Sequence, residues 1–226
     1  MKILVATTNP GKLKEISEML DFDIDWKSLS DFPDIKEIIE DGKTFVENAR
    51  KKALGYAEQT GLWTLADDSG LVVDALGGAP GVKSARFSGE QSRDRNGAEG
   101  NRTLLDHKNM AKLLSLLKDI PKEKRTARFV CCLCLACPEP VCGERSRTVE
   151  GASPEEILIE TTGELEGVVA EKEAGFNGFG YDPVFFVPSL NKTVAQLAAT
   201  EKNKVSHRGN AVKKLKSLLE KLLKTV

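Results

Sequence analysis

Two adjacent acids, Asp67 and Asp68, lie between two apolar segments and run directly into Ser69 and Gly70. Paired carboxylates in such a setting are costly to bury unless a positive group neutralises them. A hard divalent cation, usually Mg²⁺, is the simplest such partner, because it favours carboxylate oxygens and often brings phosphates with it. The alternative interpretation is a solvated turn without a ligand. Because neighbouring side chains on extended backbone point apart, one acid could serve a site while the other is structural.

A second carboxylate for the same cation could come from Glu40, which directly precedes the turn signal Asp41-Gly42. A divalent cation commonly draws its protein ligands from more than one segment of the chain. Taken alone, Glu40 is better explained as an ordinary surface acid.

The segment Thr7-Thr8-Asn9-Pro10-Gly11-Lys12 joins a predicted strand to the start of a helix. Backbone N–H groups at a helix start suit a phosphate, and Lys12 adds a positive charge. The segment is not a Walker A loop, because the first glycine of that motif is missing and Leu13 follows the lysine. The alternative is a helix start that holds no ligand, with Asn9 as N-cap and Pro10 at the first helical position.

Two later segments also carry side chains that suit a nucleotide. Phe176 and Phe179 belong to the glycine-rich segment 175–183. An exposed ring there could stack on a nucleobase, whereas the alternative is burial of both rings against the strand that follows. His207 and Arg208 offer hydrogen-bond donors to carbonyl or phosphate oxygens, although a lone histidine beside an arginine is more often structural.

Hydrophobic periodicity predicts a mixed α/β chain that positions these residues. Capping signals predict helices that begin near Pro10, Thr44 and Asp106, and a leucine-rich helix closes the chain. The predicted strands are Ile3–Thr7, Trp63–Ala66, Leu71–Leu76, the segment around Phe129–Ala136, Ile157–Thr162, Glu166–Ala170 and Val184–Val187. The Asp67-Asp68-Ser69-Gly70 segment is thus expected to be a turn between two strands.

The bulk properties narrow the class of protein. The 226 residues suit a single domain, with a polar surface loop at about residues 90–101. The net charge of −1 gives no global basic field for nucleic acid or membrane binding. No apolar run reaches the roughly 18 residues of a membrane span, and the N-terminus does not resemble a signal peptide. We therefore expect a cytoplasmic protein with no nucleic-acid or membrane partner.

Five cysteines lie close together, at positions 131, 132, 134, 137 and 142. The spacing Cys131-x2-Cys134-x2-Cys137 resembles the start of an iron–sulfur motif, but Val141 stands where the fourth ligand is expected. Residues three apart on a strand point to opposite faces, which disfavours chelation. We therefore predict that these cysteines are small apolar residues of a buried strand.

Taken together and in this order, the segments resemble one family, the non-standard purine (inosine) nucleoside triphosphate pyrophosphatases, over nearly the whole chain. The motifs that carry the resemblance are Thr7–Lys12, Thr44–Ala49, Ala66–Leu71, Leu76–Gly81, Ser84–Gly89, Gly178–Pro183 and Ser206–Gly209. The resemblance implies a twisted mixed sheet with flanking helices, in two lobes around a central nucleotide-binding cleft, and a homodimer. It implies Mg²⁺-dependent hydrolysis of ITP, dITP or XTP to the monophosphate and pyrophosphate.

The resemblance also assigns roles to individual residues. Asp68 matches the catalytic proton acceptor, and Glu40 and Asp68 match the metal ligands. Phe179 is the expected stacking ring for the base, and His207 and Arg208 are the expected base-reading pair. The implied substrate-binding residues are Thr7, Thr8, Asn9, Pro10, Gly11, Lys12, Ser69, Phe179, Gly180, Tyr181, Asp182, Lys202, His207 and Arg208.

The sequence departs from the family pattern in the glycine loop, where Phe176-Asn177 replaces a pair that is often Thr-Gly. The loop at residues 90–101 is longer than usual, and the cysteine-rich strand is unusual. The alternatives to the implied function are a pyrophosphatase for another modified nucleotide, a nucleotide-sensing protein without catalysis, and a cysteine metal protein.

Overall fold

The computed structural model describes residues 1–7, 10–89, 99–138 and 156–224, and for residues 10 and 99–102 the backbone alone. The strands are β1 (Lys2–Ala6), β2 (Asp25–Ser28), β3 (Trp63–Val73), β4 (Thr126–Cys137), β5 (Glu156–Val169), β6 (Phe185–Val187) and β7 (Lys192–Thr193). The α-helices are α1 (Pro10–Met19), α2 (Phe45–Thr60), α3 (Glu99–Leu116), α4 (Ala199–Val205) and α5 (His207–Leu223). Short 3₁₀ turns join several of these elements.

The seven strands of the described residues form one open sheet in the order β2-β1-β3-β4-β5-β6-β7. Strand β1 pairs in parallel with both β2 and β3, whereas β6 pairs antiparallel with β5 and β7. Parallel pairs need crossover connections, which helices α1 and α2 provide. The predicted α/β class with a mixed sheet is confirmed.

Strand β3 corrects the prediction of a turn at Asp67-Asp68-Ser69-Gly70. The strand is continuous from Trp63 to Val73 and carries both acids in its middle. Acids and glycine are disfavoured in strands, but here each carboxylate lies beside a lysine, as the site geometry below shows. The second predicted strand also ends earlier, because Asp74–Leu76 forms a 3₁₀ turn.

Two other element boundaries differ from prediction. Strand β5 is one strand from Glu156 to Val169 rather than two. A Cβ atom added at its Gly167 would lie 2.6 Å from the Phe185 ring and 2.5 Å from the Phe186 carbonyl oxygen, so the glycine allows close strand packing. Helix α3 begins at Glu99, so residues 99–101 of the predicted polar loop are helical, while residues 90–98 lie outside the described residues. Polar residues without apolar periodicity hid this first helical turn.

The chain divides into two compact units. Unit 1 comprises Met1–Asp68, Cys132–Thr162 and Ala211–Val226, and unit 2 comprises Ser69–Cys131 and Gly163–Asn210. Strands β3, β4 and β5 contribute residues to both. The predicted arrangement of two lobes around a cleft stays a prediction.

Each unit has its own apolar interior. In unit 1, the leucine face of α5 buries Val212, Leu215 and Leu219, each contributing about 1.5–3 kcal/mol of transfer free energy. The core of unit 2 gathers apolar side chains from β3, α3, β4 and β6, among them Leu71, Met110, Leu113, Phe129 and Phe185.

Strand β4 carries the cysteines into the interior. Cys131, Cys132, Cys134 and Cys137 are buried and form no disulfide bonds, which confirms the prediction of a buried strand, while Cys142 lies outside the described residues. Within the described ranges, no helix is long and apolar enough to cross a membrane.

Candidate functional site

Helix α2 carries two polar side chains into the interior of unit 1. Thr44 caps the helix as predicted, with its Oγ1 accepting the Glu47 N–H at 3.2 Å, and the left-handed Gly61 ends it. Asn48 and Lys52 lie four residues apart and therefore share one face of the helix. They are only 1% and 7% exposed, respectively. Burial of this face brings both side chains to strand β3.

Glu40, Asn48, Lys52 and Asp68 form what we call the carboxylate cluster. The Lys52 Nζ lies 3.0 Å from Glu40 Oε2 and 3.6 Å from Asp68 Oδ1. It also donates to the carbonyl oxygen of Asp67 at 2.7 Å. The Asn48 Nδ2 donates to Asp68 Oδ2 at 3.1 Å. The two carboxylates predicted to bind metal are thus brought to one cation, on elements that are far apart in the sequence.

Burial and charge oppose each other within this cluster. Burial alone would lower the pKa of Lys52, but the carboxylates of Asp68, Glu40 and Asp67 outweigh it and raise the pKa above its usual value. Burial raises the pKa of Asp68, and Glu40 raises it further, while Lys52, Lys12 and the Asn48 hydrogen bond oppose this shift. Positive charge at this position therefore favours the ionised form of Asp68.

The donor set of the carboxylate cluster fits a hard divalent cation. Two carboxylates from different segments converge on a position that an ammonium group already occupies, and oxygen ligands are what Mg²⁺ prefers. Among the described residues, no three or more His, Cys, Asp or Glu side chains are grouped as a metal site. Mg²⁺ bound with phosphates is usually held by one or two carboxylates, with substrate oxygens and water as its other ligands.

Asp67 points away from Asp68, as the alternation of a strand requires. Its side chain is fully buried and forms an ion pair with Lys12 of helix α1. Pro10 is the first residue of that helix, as predicted, and the Thr7 N–H bonds to the Val5 carbonyl oxygen. The predicted phosphate-binding residues Thr8 and Asn9 lie outside the described residues. Substrate binding by Thr7 to Lys12 stays a prediction.

Phe179, Asp182, Lys202, Arg208 and Ser69 form what we call the aromatic cluster, in unit 2. The Lys202 Nζ lies 4.5 Å from the centre of the Phe179 ring and 2.9 Å from Asp182 Oδ2. The guanidinium carbon of Arg208 lies 5.7 Å from the same ring centre, and its Nη2 donates to Ser69 Oγ at 3.1 Å. Five residues predicted to bind substrate are thus linked by a chain of direct contacts.

The backbone around Phe179 is held in place by hydrogen bonds. The Phe179 N–H donates to Asp182 Oδ2 at 2.9 Å, and the Gly180 N–H donates to Asp106 Oδ2 at 2.8 Å. The Tyr181 hydroxyl donates to the Ser84 carbonyl oxygen at 2.9 Å. Burial raises the pKa of Tyr181. These contacts make the loop a rigid support for the Phe179 ring, with Tyr181 as an anchor rather than an exposed side chain.

The structure places two predicted aromatic side chains, Phe176 and His207, in different surroundings. Phe176 is fully exposed, so the alternative in which both rings are buried is wrong for this residue. The backbone beside it is fixed, because the Asn177 Nδ2 donates to the Leu197 carbonyl oxygen at 3.0 Å. His207 begins helix α5, is 7% exposed, and stacks on Phe129 with ring centres 4.8 Å apart.

Sequence reasoning missed three residues that support the site: Asn48, Lys52 and Asp106. Lys52 and Asn48 lie on a helix where lysine and asparagine are usually solvated, so residue type alone gives no signal. Their spacing did carry a signal. Asn48 and Lys52 are one helical turn apart, and each directly precedes a buried alanine, Ala49 or Ala53, which places them next to the buried face of the helix. Asp106 was predicted only as a helix start, not as a support for Gly180.

Comparisons with known proteins identify the family of this chain. The model of the Ham1 family matches residues 3–218. A protein of Desulforamulus reducens named dITP/XTP pyrophosphatase is 45% identical, covering 98% of this chain and 97% of its own. A protein of Geobacter sulfurreducens with the same name is 48% identical, covering 96% of each chain. The solved structure of a HAM1 protein from Coxiella burnetii has a TM-score of 0.78 and 37% identity, covering 98% of this chain and 99% of the other. The chain therefore belongs to the Ham1 family.

Proposed function

We propose that the chain is a Mg²⁺-dependent enzyme that hydrolyses ITP, dITP and XTP to the nucleoside monophosphate and pyrophosphate. Membership of the Ham1 family and relatives named dITP/XTP pyrophosphatase support hydrolysis of non-standard nucleoside triphosphates. The observation that carries the chemistry is the convergence of Glu40 and Asp68 on one cation position, which Lys52 Nζ marks.

Glu40 and Asp68 would hold the Mg²⁺ ion. When bound, the ion would neutralise the negative charge that builds on the phosphates during phosphoryl transfer. Lys52 contacts both carboxylates in the metal-free protein and would add positive charge beside the ion. Lys12, at the start of helix α1, adds a second positive charge for the phosphates.

Asp68 acts as the general base that accepts a proton from the attacking water. A general base must be ionised and held in one orientation. The Asn48 amide holds Asp68 Oδ2, and Lys52 lies on the side of Oδ1. Asp68 can therefore present one oxygen while the other is fixed.

The aromatic cluster recognises the base. The half-buried Phe179 ring offers a stacking face, and base stacking on an aromatic side chain contributes about 1–3 kcal/mol. Arg208 and His207 offer donors to the 6-oxo group that hypoxanthine and xanthine carry and adenine lacks. A polar pocket of this kind can discriminate by up to about 10⁴–10⁵-fold. We also propose, from the family resemblance, a cytoplasmic homodimer.

A substrate panel tests this function. The protein is incubated with ITP, dITP, XTP, dUTP, GTP and ATP in millimolar Mg²⁺, and pyrophosphate and free phosphate are measured separately. We expect pyrophosphate from ITP, dITP and XTP and little product from GTP or ATP. Pyrophosphate from dUTP alone would indicate another modified nucleotide as substrate. Binding of ITP without any product would indicate a nucleotide sensor, and free phosphate would contradict cleavage at the α-phosphorus.

A further inference from the structure

Asn48 joins the two segments that carry the carboxylates of the carboxylate cluster. Its Nδ2 donates to Asp68 Oδ2 at 3.1 Å, and its Oδ1 accepts the Gly42 N–H at 2.8 Å. Gly42 lies two residues after Glu40, so one amide side chain ties strand β3 to the loop that presents Glu40. Asn48 is 1% exposed, and its hydrogen bond to Asp68 is buried, where it is electrostatically stronger than in water.

The loop backbone is packed tightly against this amide. A Cβ atom added at Gly42 would lie 2.5 Å from Asn48 Oδ1 and 2.9 Å from Glu47 Cβ. No ordinary contact allows these distances, so any side chain at position 42 would move either the loop or the amide. Asn48 uses its donor for Asp68 and its acceptor for Gly42, and an amide carries the two on separate atoms that point in different directions.

Asn48 and Lys52 hold Asp68 in different ways. Lys52 is a point charge on a flexible stem, and it lies on the Asp68 Oδ1 side, where a divalent cation would compete with it. The Asn48 amide binds the other oxygen, Oδ2, and the loop backbone. Its two bonds can therefore persist when the cation at the carboxylates changes.

We propose that Asn48 is a positioning residue that sets the spacing and orientation of Glu40 and Asp68 for a divalent cation. This inference rests on the proposed function. Asn48 touches neither metal nor substrate in this proposal and acts through Asp68 and the Glu40 loop. Hydrogen-bond partners of metal ligands typically contribute about 10–100-fold to metal affinity or activity.

The test compares Asn48→Ala with a matched control, Asn109→Ala. Asn109 is also a buried asparagine, with its Oδ1 accepting the Ser88 N–H at 2.7 Å and its Nδ2 donating to the Ala85 carbonyl oxygen at 3.2 Å. Mn²⁺ affinity is measured without nucleotide by electron paramagnetic resonance, and thermal unfolding is measured in parallel. We expect Asn48→Ala to weaken Mn²⁺ binding about 10–100-fold. Asn109→Ala should lower Tm comparably and leave Mn²⁺ binding unchanged.

Steady-state kinetics on ITP add a second readout. We expect Asn48→Ala to lower kcat about 10–100-fold with little change in KM, because the aromatic cluster is intact. If Asn48→Ala does not fold, Asn48→Leu replaces it: this variant keeps a side chain of similar size, removes both hydrogen bonds without adding a charge, and kcat should fall likewise.

Wild-type Mn²⁺ affinity and kcat in the folded Asn48 variant would overturn the positioning role. So would an equal loss of Mn²⁺ affinity in Asn109→Ala, since the effect would then follow from lost stability alone. Failure of the proposed function is seen separately, as absence of pyrophosphate release by the wild-type protein. The metal-binding comparison tests Asn48 in either case.

Discussion

The carboxylate cluster and the aromatic cluster each bury a lysine against acids, but they use it differently. Lys52 is shared between two carboxylates and a carbonyl oxygen. Lys202 forms one tight pair with Asp182, whose Oδ2 also accepts the Phe179 N–H. A shared cation can be joined or replaced by another cation without leaving an acid isolated. The Lys202–Asp182 pair instead helps to hold the Phe179 backbone in one conformation. The comparison suggests chemistry at the first cluster and recognition at the second.

The largest effect is expected from Asp68→Asn, which removes both a metal ligand and the proton acceptor. Turnover of ITP should fall at least about 10²-fold. The measurement is pyrophosphate release in millimolar Mg²⁺, with circular dichroism to confirm that the variant is folded. Near-normal turnover would move the chemistry away from the carboxylate cluster.

The same variant should not lose stability in the metal-free state. The folded-state pKa of Asp68 is raised, mainly by burial, so ionising this group opposes folding. The loss of folding free energy caused by ionised Asp68 is absent when the pH is below the ordinary pKa of about 4. It is fully present when the pH is above the raised folded-state pKa. We therefore expect Asp68→Asn in chelator to have a Tm at or above the wild-type Tm at neutral pH. The difference should vanish as the pH falls towards 4. A large drop in Tm at neutral pH would contradict the sign of this argument.

The next largest effect is expected from Lys52→Met, compared with Lys202→Met in the aromatic cluster. Each change leaves a buried acid without its cation, which costs about 3–5 kcal/mol for a fully buried pair. The loss of stability should be smaller in Lys52→Met than in Lys202→Met, because the Glu40 side chain is 35% exposed and water can solvate it.

Thermal unfolding with and without Mg²⁺ separates the two lysine variants. Millimolar Mg²⁺ should restore stability to Lys52→Met, because the metal can take over both carboxylates, and should not restore Lys202→Met. If Mg²⁺ raises the Tm of both variants equally, or raises the Tm of neither, the proposed distinction between the clusters is wrong.

A smaller effect is expected from Phe179→Ala. Loss of the stacking face should raise KM for ITP about tenfold, with kcat changed less. The ring lies under Lys202 and Arg208, so the variant also tests whether those cations depend on it. Steady-state kinetics on ITP and GTP provide the measurement. An unchanged KM would show that the base is recognised elsewhere.

The smallest effect is expected from Phe176→Ala, in the same loop. Because this ring is fully exposed, its removal should change the free energy of unfolding by no more than about 0.5 kcal/mol. KM for ITP should stay within about twofold of the wild-type value. If KM instead rises as much as in Phe179→Ala, the Phe176 ring contacts substrate, and the recognition surface is wider than the aromatic cluster.

The sequence allowed the α/β class and the helix at Thr44 to be predicted, because hydrophobic period and capping residues are local signals. It could not show that the two acids lie inside a strand. Acids disfavour strands locally, and the lysines that compensate them come from helices 15 or more residues away, at Lys12 and Lys52. Alternation along extended backbone did predict correctly that the Asp67 and Asp68 side chains point to different partners. The support given by Asn48 was hidden because a buried amide is recognisable only from its partners.

The cysteine-rich strand has a practical consequence. Burial, followed by the nearby Glu160, raises the pKa of Cys134 to about 12, and burial also raises the pKa of Cys132. At pH 8 only about one Cys134 thiol in 10⁴ is therefore the reactive thiolate. A thiol reagent should modify the buried cysteines of β4 only when the centre of the sheet opens. The rate of labelling then measures that opening directly, in the unmodified protein and under the conditions of the enzymatic assay.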